Sequence, residues 1–595
     1  MTEDQDAVFG VRQSASGRAW RLRSADPRLV AALSQRLELP EAIARLLAGR
    51  GVTVEEAVDF LNPSLRQMMP DPHVIEDMAT AARRIAAAIV GNERIAVFGD
   101  YDVDGATSAA LLTRYVRALG RALVVYIPDR LREGYGPNAP ALLKLKDDGV
   151  SLVITVDCGT LAFAPLAAAR AAGLDVIVVD HHLAEPALPE ACAVVNPNRL
   201  DDDSGLGQLA AVGVAFMLIV AVNRALRDQV FFTAARREPD LMSLLDLVAL
   251  GTVADVVPLI GLNRAFVAQG LKVLARGGNV GLKALAAVAR MNETPSTYHL
   301  GFLLGPRVNA GGRVGEADLG ARLLTTEDAE EAGRIAAALD RYNQERQAIE
   351  TQVQEAAVSQ LAARHGLDVP PPLAFAVADG WHIGVIGIVA GRLKDRFDLP
   401  SVVIGMDGDI GKGSARSISG VDIGAAVTAA HQAGLLINGG GHKMAAGLTI
   451  ARDQIPAFEA FLRDRLASPV ASAHRDAALM LDGVLTAGAA TVELLDLLER
   501  AGPYGAGNPT PRFAFSGLKV GFADIIGVDH VRATFEGPDG KRVKGIAFKS
   551  ATNGLGQMLL KGVGQRFHVA GALKRNFWNG RTSVDLIIED AAAAS

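Results

Sequence analysis

Cysteine is nearly absent, with only Cys158 and Cys192 among 595 residues. Two thiols cannot build a disulfide framework, so a reducing, cytoplasmic setting is expected. The first ten residues are acidic and polar and carry no export-signal pattern. Long hydrophobic runs are missing too. Stretches such as 209–222 are rich in alanine and glycine and too short for a bilayer span, so no membrane association is expected. Nor is there an overall excess of positive charge: the net charge of −6 argues against a protein coated for polyanion binding. The balance is uneven, however, because residues 510–581 hold twelve Lys/Arg against four Asp/Glu. A chain of this length holds roughly three to five domains and needs no staples to fold.

What is present is a dense group of acids. The apolar run Ile95, Ala96, Val97, Phe98 stops at Gly99 and is followed by Asp100, Asp102 and Asp104 before an Ala/Leu-rich helical pattern begins. Strand, tight turn and helix follow from that spacing. Ionised carboxylates gathered so closely repel one another unless a cation neutralises them. A solvated turn or a helix cap explains one such Asp well and three poorly.

The strand-helix alternation continues through the runs 123–127, 152–156 and 176–179, which predicts a parallel, doubly wound sheet. The runs end in chemistry: Asp157 follows the third, and Asp180-His181-His182 the fourth. A further apolar stretch, 244–253, leads into Asp255 and is read as one more acidic strand end. Carboxylates with one or two imidazoles suit Mn²⁺ or Mg²⁺ better than structural zinc. Two such cations are the usual engine for phosphate-ester hydrolysis.

Asp-x-Asp-x-Asp-Gly at 100–105, Val-Asp-Cys-Gly at 156–159, Asp-His-His at 180–182 and Gly-Thr-Val-Ala-Asp-Val-Val-Pro at 251–258 resemble the four motifs of the DHH phosphoesterase superfamily. The fit is closest to its bacterial single-strand-specific exonucleases, over residues 90–590. The resemblance implies Asp102, Asp104, Asp157, His181 and Asp255 as ligands of two metals, with Asp157 bridging. It places His182 against the scissile phosphate and Asp180 behind a histidine. Smaller relatives have a histidine four residues before the first ligand Asp. Here that position is Phe98, and Asp100 is the candidate substitute.

Further substrate contacts are expected along the chain. Arg132 suits a phosphate, Tyr135 a base, and Asn138 closes the same loop, although an ordinary Gly/Pro turn would also explain it. Residues 305–313 read as a glycine-rich loop in which Arg307, Asn309 and Arg313 approach phosphates. A polar helix over 326–365 is expected to join two lobes. In the smaller α/β lobe, Ser414, Arg416, Ser417, Gly440, Gly441 and His442 resemble the nucleotide-contacting segments of the DHHA1-type domain that accompanies the DHH module, and His182, Arg313 and His442 are expected to act in catalysis by offsetting charge on the phosphoryl oxygens.

From 475 the texture becomes short β-rich runs with glycine turns, which predicts an OB-fold barrel whose basic residues and Phe548, Phe577 and Trp578 suit a single strand. The expected divisions are an N-terminal cap without chemistry (1–85), a catalytic lobe (86–320), a connecting helix (321–368), the smaller lobe (369–474) and the barrel (475–595). The implied activity is metal-dependent removal of 5′-mononucleotides from the 5′ end of single-stranded DNA. Helicases or single-strand-binding proteins are expected partners, and a monomer is expected. A small-nucleotide phosphodiesterase and a catalytically silent DNA-binding scaffold are the alternatives. The first has little use for the basic barrel, and the second would tolerate loss of the acids.

Overall fold

The computed structural model describes residues 7–129, 133–366, 372–475, 477–578 and 580–594. The catalytic lobe is built on five parallel strands. From one edge to the other they run Leu123–Tyr126, Ile95–Gly99, Leu152–Val156, Asp175–Val179 and Ala193–Val195. The central strands are apolar on both faces because helices cover both. Val103–Ala118 and Ala211–Asp228 pack on one side, and Ala139–Asp147 and Phe163–Ala171 on the other. The chain leaves Ile95–Gly99 for one neighbour and returns to Leu152–Val156 on its other side. The strand order therefore reverses where these two strands end, the position at which open α/β sheets bind ligands.

Two expectations of local structure are corrected. The apolar run before Asp255 is the buried helix Leu245–Ala254, not a strand, and Asp255 is its C-cap. A run apolar at nearly every position shows no clear period, so its length, not its pattern, had to decide. The glycine-rich stretch 305–313 is also helical: Gly305–Val314 continues the π-helical segment His299–Leu304. Its glycines serve close approach rather than looseness. A Cβ on Gly312 would lie 2.7 Å from the carbonyl oxygen of Tyr101.

The connector is one 37-residue helix, Ala329–His365, capped by Asp328, whose side chain accepts from the N–H groups of Glu330 and Glu331. Ala332, Ile335 and Leu339 join the core of the first lobe, whereas Val353, Ala357 and Leu361 join that of the second. Polar along most of its surface, it buries a different patch at each end.

The second lobe is a five-stranded sheet in the order Asn438–His442, Ala445–Ala451, Ile410–Arg416, Ser401–Asp407, Ala374–Asp379. The C-terminal strands Phe513–Ile526, His530–Glu536, Arg542–Ala547, Arg581–Ala593 and Arg566–Trp578 pair in that order, and the last returns to the first to close a barrel. Two of the expected short runs, 513–515 and 518–522, are one strand interrupted by bulges. Phe513, Phe515 and Phe535 fill the interior.

The N-terminal region divides between two partners. Leu33, Ile43 and Leu47 share a core with Phe513, Phe535 and Leu586 of the barrel, and the strand Ala19–Leu22 pairs with Ala478–Leu481. From Leu65 onward, the side chains join the catalytic lobe. The two ends of the chain therefore meet. Among the described residues, no helix is long and apolar enough to cross a membrane.

Candidate active site

The acidic loop follows directly from the end of Ile95–Gly99. Asp102 caps the next helix: its Oδ1 accepts from the N–H groups of Asp104 (2.9 Å) and Gly105 (3.1 Å). Gly105 must be glycine for the turn to close, since a Cβ there would lie 2.4 Å from the Asp100 carbonyl oxygen. Asp104 points inward and is buried. Its two oxygens accept from Ala211 N–H (2.6 Å) and Val212 N–H (2.9 Å), at the start of the helix Ala211–Asp228. That helix N-terminus holds a carboxylate by its free N–H groups and its positive end.

Asp157 stands at the end of the adjacent strand with a positive φ of 60°. This conformation is unusual for a residue with a side chain, although Asp tolerates it better than most, and such strain gathers at functional sites. From the next strand, Asp180 organises the pair of histidines. It accepts from the N–H groups of His181 (2.8 Å) and Thr160 (3.1 Å) and meets His182 Nδ1 at 2.7 Å. Two residues that the sequence reading missed hold this loop from behind. Asn196 Nδ2 donates to His182 O (2.8 Å) and Thr160 Oγ1 (2.9 Å), and Asn198 Nδ2 donates to His181 O (2.6 Å). Their signal was Asn-Pro-Asn directly after the short run 193–195, at the same sheet edge.

These groups converge. His181 Nε2 lies 3.3 Å from Asp157 Oδ1, 3.7 Å from Asp255 Oδ2 and 3.9 Å from Asp104 Oδ2. It is buried and makes no hydrogen bond. Two triads have donor atoms within 4.8 Å of one another, Asp104, His181 and Asp255, and Asp100, Asp102 and Asp157, and a third group, Asp157, His181 and His182, overlaps both. Burial, then the neighbouring Asp102, pushes the Asp104 carboxyl up to about 7. Burial, then Asp104 and Asp102, pushes Asp255 up to about 9, and Asp157 is raised for the same reasons. His181 is lowered to about 4 by burial and by His182, which leaves it neutral with a lone pair to give. Repelling carboxylates around a neutral imidazole with an orphaned nitrogen fit hard divalent cations.

Burial alone would lower His182, but its hydrogen bond to Asp180 and that residue's charge raise it to about 9. Burial works in the opposite sense on Asp180, whose hydrogen bonds to His182 and Thr160 nevertheless hold its carboxyl well below the usual range. His182 is thus a partly exposed cation beside the acids, its ring centroid 4.7 Å from that of His181. Tyr135 covers it edge-on, with its hydroxyl donating to Asp157 O at 3.1 Å. Phe98 is fully buried and stacks on Tyr126 (5.1 Å). Asp100 stands in the triad with Asp102 and Asp157 instead of in the background.

Other expected contacts fall differently. Arg132 lies outside the described residues, as does the side chain of Trp578. Asn138 caps the helix Ala139–Asp147. Arg307 is engaged by Asp340 (2.9 Å), Asn309 accepts from Val103 N–H (3.2 Å), and Ser417 is buried and donates to Val421 O (2.7 Å). Each of the three therefore has a partner within the protein. Arg313 Nη1 donates to Gly384 O (2.9 Å), tying the lobes together.

Across the cleft, Arg416 Nη1 donates to Ser414 Oγ (2.9 Å), burial lowers its pKa, and among the described residues no carboxylate pairs with it. Gly440, Gly441 and His442 form an edge strand, not a loose turn. A cavity of about 760 Å³ runs between the lobes, with Leu183 on one wall and Gly441, His442, Lys443 and Arg465 on the other.

A doubly wound sheet whose strand ends, with the end of one buried helix, gather acids and an imidazole that can hold metal, facing a second lobe with a half-buried arginine, defines a metal-dependent phosphoesterase of the DHH class. Family models agree along the chain: the DHH family N-terminal domain matches residues 94–252, the DHHA1 domain 371–468 and the RecJ OB domain 481–590. The single-stranded-DNA-specific exonuclease RecJ of Bacillus subtilis is 35% identical over 98% of this chain and 71% of its own length. RecJ of Escherichia coli is 35% identical over 93% of this chain and 96% of its own. The crystal structure of RecJ with Mn²⁺ from Thermus thermophilus superposes with a TM-score of 0.79 at 30% identity, covering 96% of this chain and 79% of that one. The chain belongs to the RecJ family.

Proposed function

We propose that the chain is a metal-dependent exonuclease that degrades single-stranded DNA from its 5′ end and releases 5′-mononucleotides. The observation that carries this reading is His181 Nε2, buried and unbonded at 3.3–3.9 Å from three carboxylates. Asp100, Asp102, Asp104, Asp157, His181 and Asp255 would hold the divalent cations, which when bound would supply water activation and charge stabilisation at the leaving 3′ oxygen. The chain's own residues do the rest. His182, kept charged by Asp180, donates to a phosphoryl oxygen as negative charge grows there. Tyr135 fixes the His182 ring and offers an aromatic edge to the terminal base. Arg416, Ser414 and His442 hold the 5′ end from the opposite wall, and Arg313 sets the spacing between the walls.

The work is divided as the lobes are: metal chemistry in 86–320, end capture in 369–474, strand holding in the barrel. Substrate is met in the cytoplasm as a monomer, delivered by repair or recombination proteins such as a helicase or a single-strand-binding protein. Incubation with Mn²⁺ and 5′-labelled DNA tests the reading. Single strands should shorten from the 5′ end to mononucleotides while duplexes persist. Turnover of dinucleotides alone, or equal attack on duplex, would contradict it.

A further inference from the structure

The acids of the cluster are not all held by the same means. Asp102 and Asp104 are fixed through their carboxylates, which accept backbone N–H groups. Among the described residues nothing donates a hydrogen bond to the Asp255 carboxylate, so its direction is set by the backbone on either side of it. Before it runs the buried helix Leu245–Ala254. After it comes Val256, 70% exposed and with a φ of 63°. A β-branched residue in the left-handed region is strained, and such strain persists only where the surrounding structure imposes it.

Two clamps impose it. From the same lobe, Asn263 Nδ2 donates to Pro258 O (3.0 Å) and to Gln208 O (2.6 Å). From the segment that leads into the barrel, Ala506 O accepts from the N–H of the buried Leu259 (2.7 Å). The approach is close: a Cβ on Gly507, whose own φ is +69°, would lie 2.8 Å from Pro258 Cβ. This entry loop is itself braced. Gly505 and Asn508 exchange backbone hydrogen bonds (2.9 and 3.2 Å), and Asn508 Nδ2 donates to Pro503 O (2.8 Å). The Tyr504 hydroxyl donates to Leu498 O on the helix Val492–Arg500, and Arg575 of the barrel strand Arg566–Trp578 pairs with Glu499 of that helix (2.8 Å). A continuous run of contacts therefore leads from the barrel to the turn that follows Asp255.

We propose that the barrel's entry loop, 502–509, positions Asp255 for its metal ion. Ala506 and Gly507 are positioning residues: they hold the strained turn at Val256 and so tune the affinity of the cation that Asp255 would share with Asp104 and His181. The proposal rests on the metal-dependent reading above. Linkage makes the effect reciprocal, so a cation bound at Asp255 must also steady the loop.

The test uses the full-length protein in two measurements: calorimetric titration of Mn²⁺ into the metal-free chain, and amide hydrogen exchange of the wild type with and without Mn²⁺. Gly507→Ala is compared with Gly540→Ala, which carries similar left-handed strain (φ +73°) in a barrel turn where the added Cβ meets nothing within 4 Å. Gly507→Ala should weaken one bound Mn²⁺ by about tenfold, and the hydrolysis it loses at low Mn²⁺ should return when Mn²⁺ is raised. Gly540→Ala should bind Mn²⁺ as the wild type does. In the wild type, Mn²⁺ should slow exchange at Val256, Val257 and Leu259 and also at Gly505, Ala506 and Gly507. Undiminished Mn²⁺ binding by Gly507→Ala, an equal loss in Gly540→Ala, or loop exchange indifferent to Mn²⁺ would each overturn the positioning role. A wild type that binds no Mn²⁺ would instead remove the metal-dependent reading beneath it. If Gly507→Ala does not fold, the wild-type exchange decides.

Discussion

The two walls of the cleft hold their polar groups in opposite ways. In the catalytic lobe, Asp104 and Asp157 are 1% and 2% exposed, crowded against like charges and pushed well above the ordinary carboxylate range by burial first. In the second lobe, His442 is exposed and Arg416 half-buried, on two strands of an otherwise ordinary sheet. The first wall is arranged in advance, at a cost in electrostatic strain that bound cations relieve. The second, in the function proposed above, receives an anion. Chemistry needs fixed geometry, whereas capture of a moving strand end needs only accessible charge.

This contrast breaks first at Asp157. Asp157→Ala should reduce hydrolysis to background while strand binding, measured by fluorescence anisotropy without divalent metal, is largely kept; turnover near the wild-type rate would remove the bridging assignment. Asp180→Asn should lower kcat by about 10- to 100-fold, since it removes the carboxylate charge that orients the His182 ring and keeps it protonated. On the other wall, Arg416→Ala should raise KM by about tenfold or more with a smaller change in kcat, and Arg416→Lys should rescue incompletely because a point charge does not replace a planar fork. A fall in kcat alone would place Arg416 in the chemistry and erase the contrast.

Asp246 sharpens the comparison, being a buried acid of the same lobe outside both triads. Burial pushes its carboxyl up to about 6, while its Oδ1 accepts from Leu247 N–H at 2.8 Å. Its folded pKa lies above the unfolded value, so the folded state holds the proton more tightly. That contribution is full below about pH 4 and is lost as pH rises to about 6. Asp246→Asn keeps the hydrogen bond and should stabilise the protein by about 2 kcal/mol at pH 7 and hardly at all at pH 4. Denaturant unfolding at both values checks this, and an equal effect at each would show that the charge is not responsible.

Much of this was legible in the sequence. The strands Ile95–Gly99, Leu152–Val156 and Asp175–Val179 announced themselves by short β-branched runs ending in acids, and the expected metal donors do converge. What was not legible depended on neighbours. The helix before Asp255 is apolar almost all round, Asp246 and Thr252 excepted, because most of it is buried. The helix Gly305–Val314 overrides its glycines because one of them lets the backbone press against Tyr101. Asn309, Arg307 and Ser417 have the residue types of a binding site and the hydrogen bonds of a scaffold. That Leu33 shares a core with Phe513 leaves no local mark at all, since side chains so far apart in the chain meet only once the lobes are in place.

The central claim, two cations joined by Asp157, is tested most directly by titrating Mn²⁺ into the metal-free full-length protein by calorimetry. The account predicts two ions per chain for the wild type and fewer than two for Asp157→Ala. A single ion in the wild type, or an undiminished pair in the variant, would contradict it.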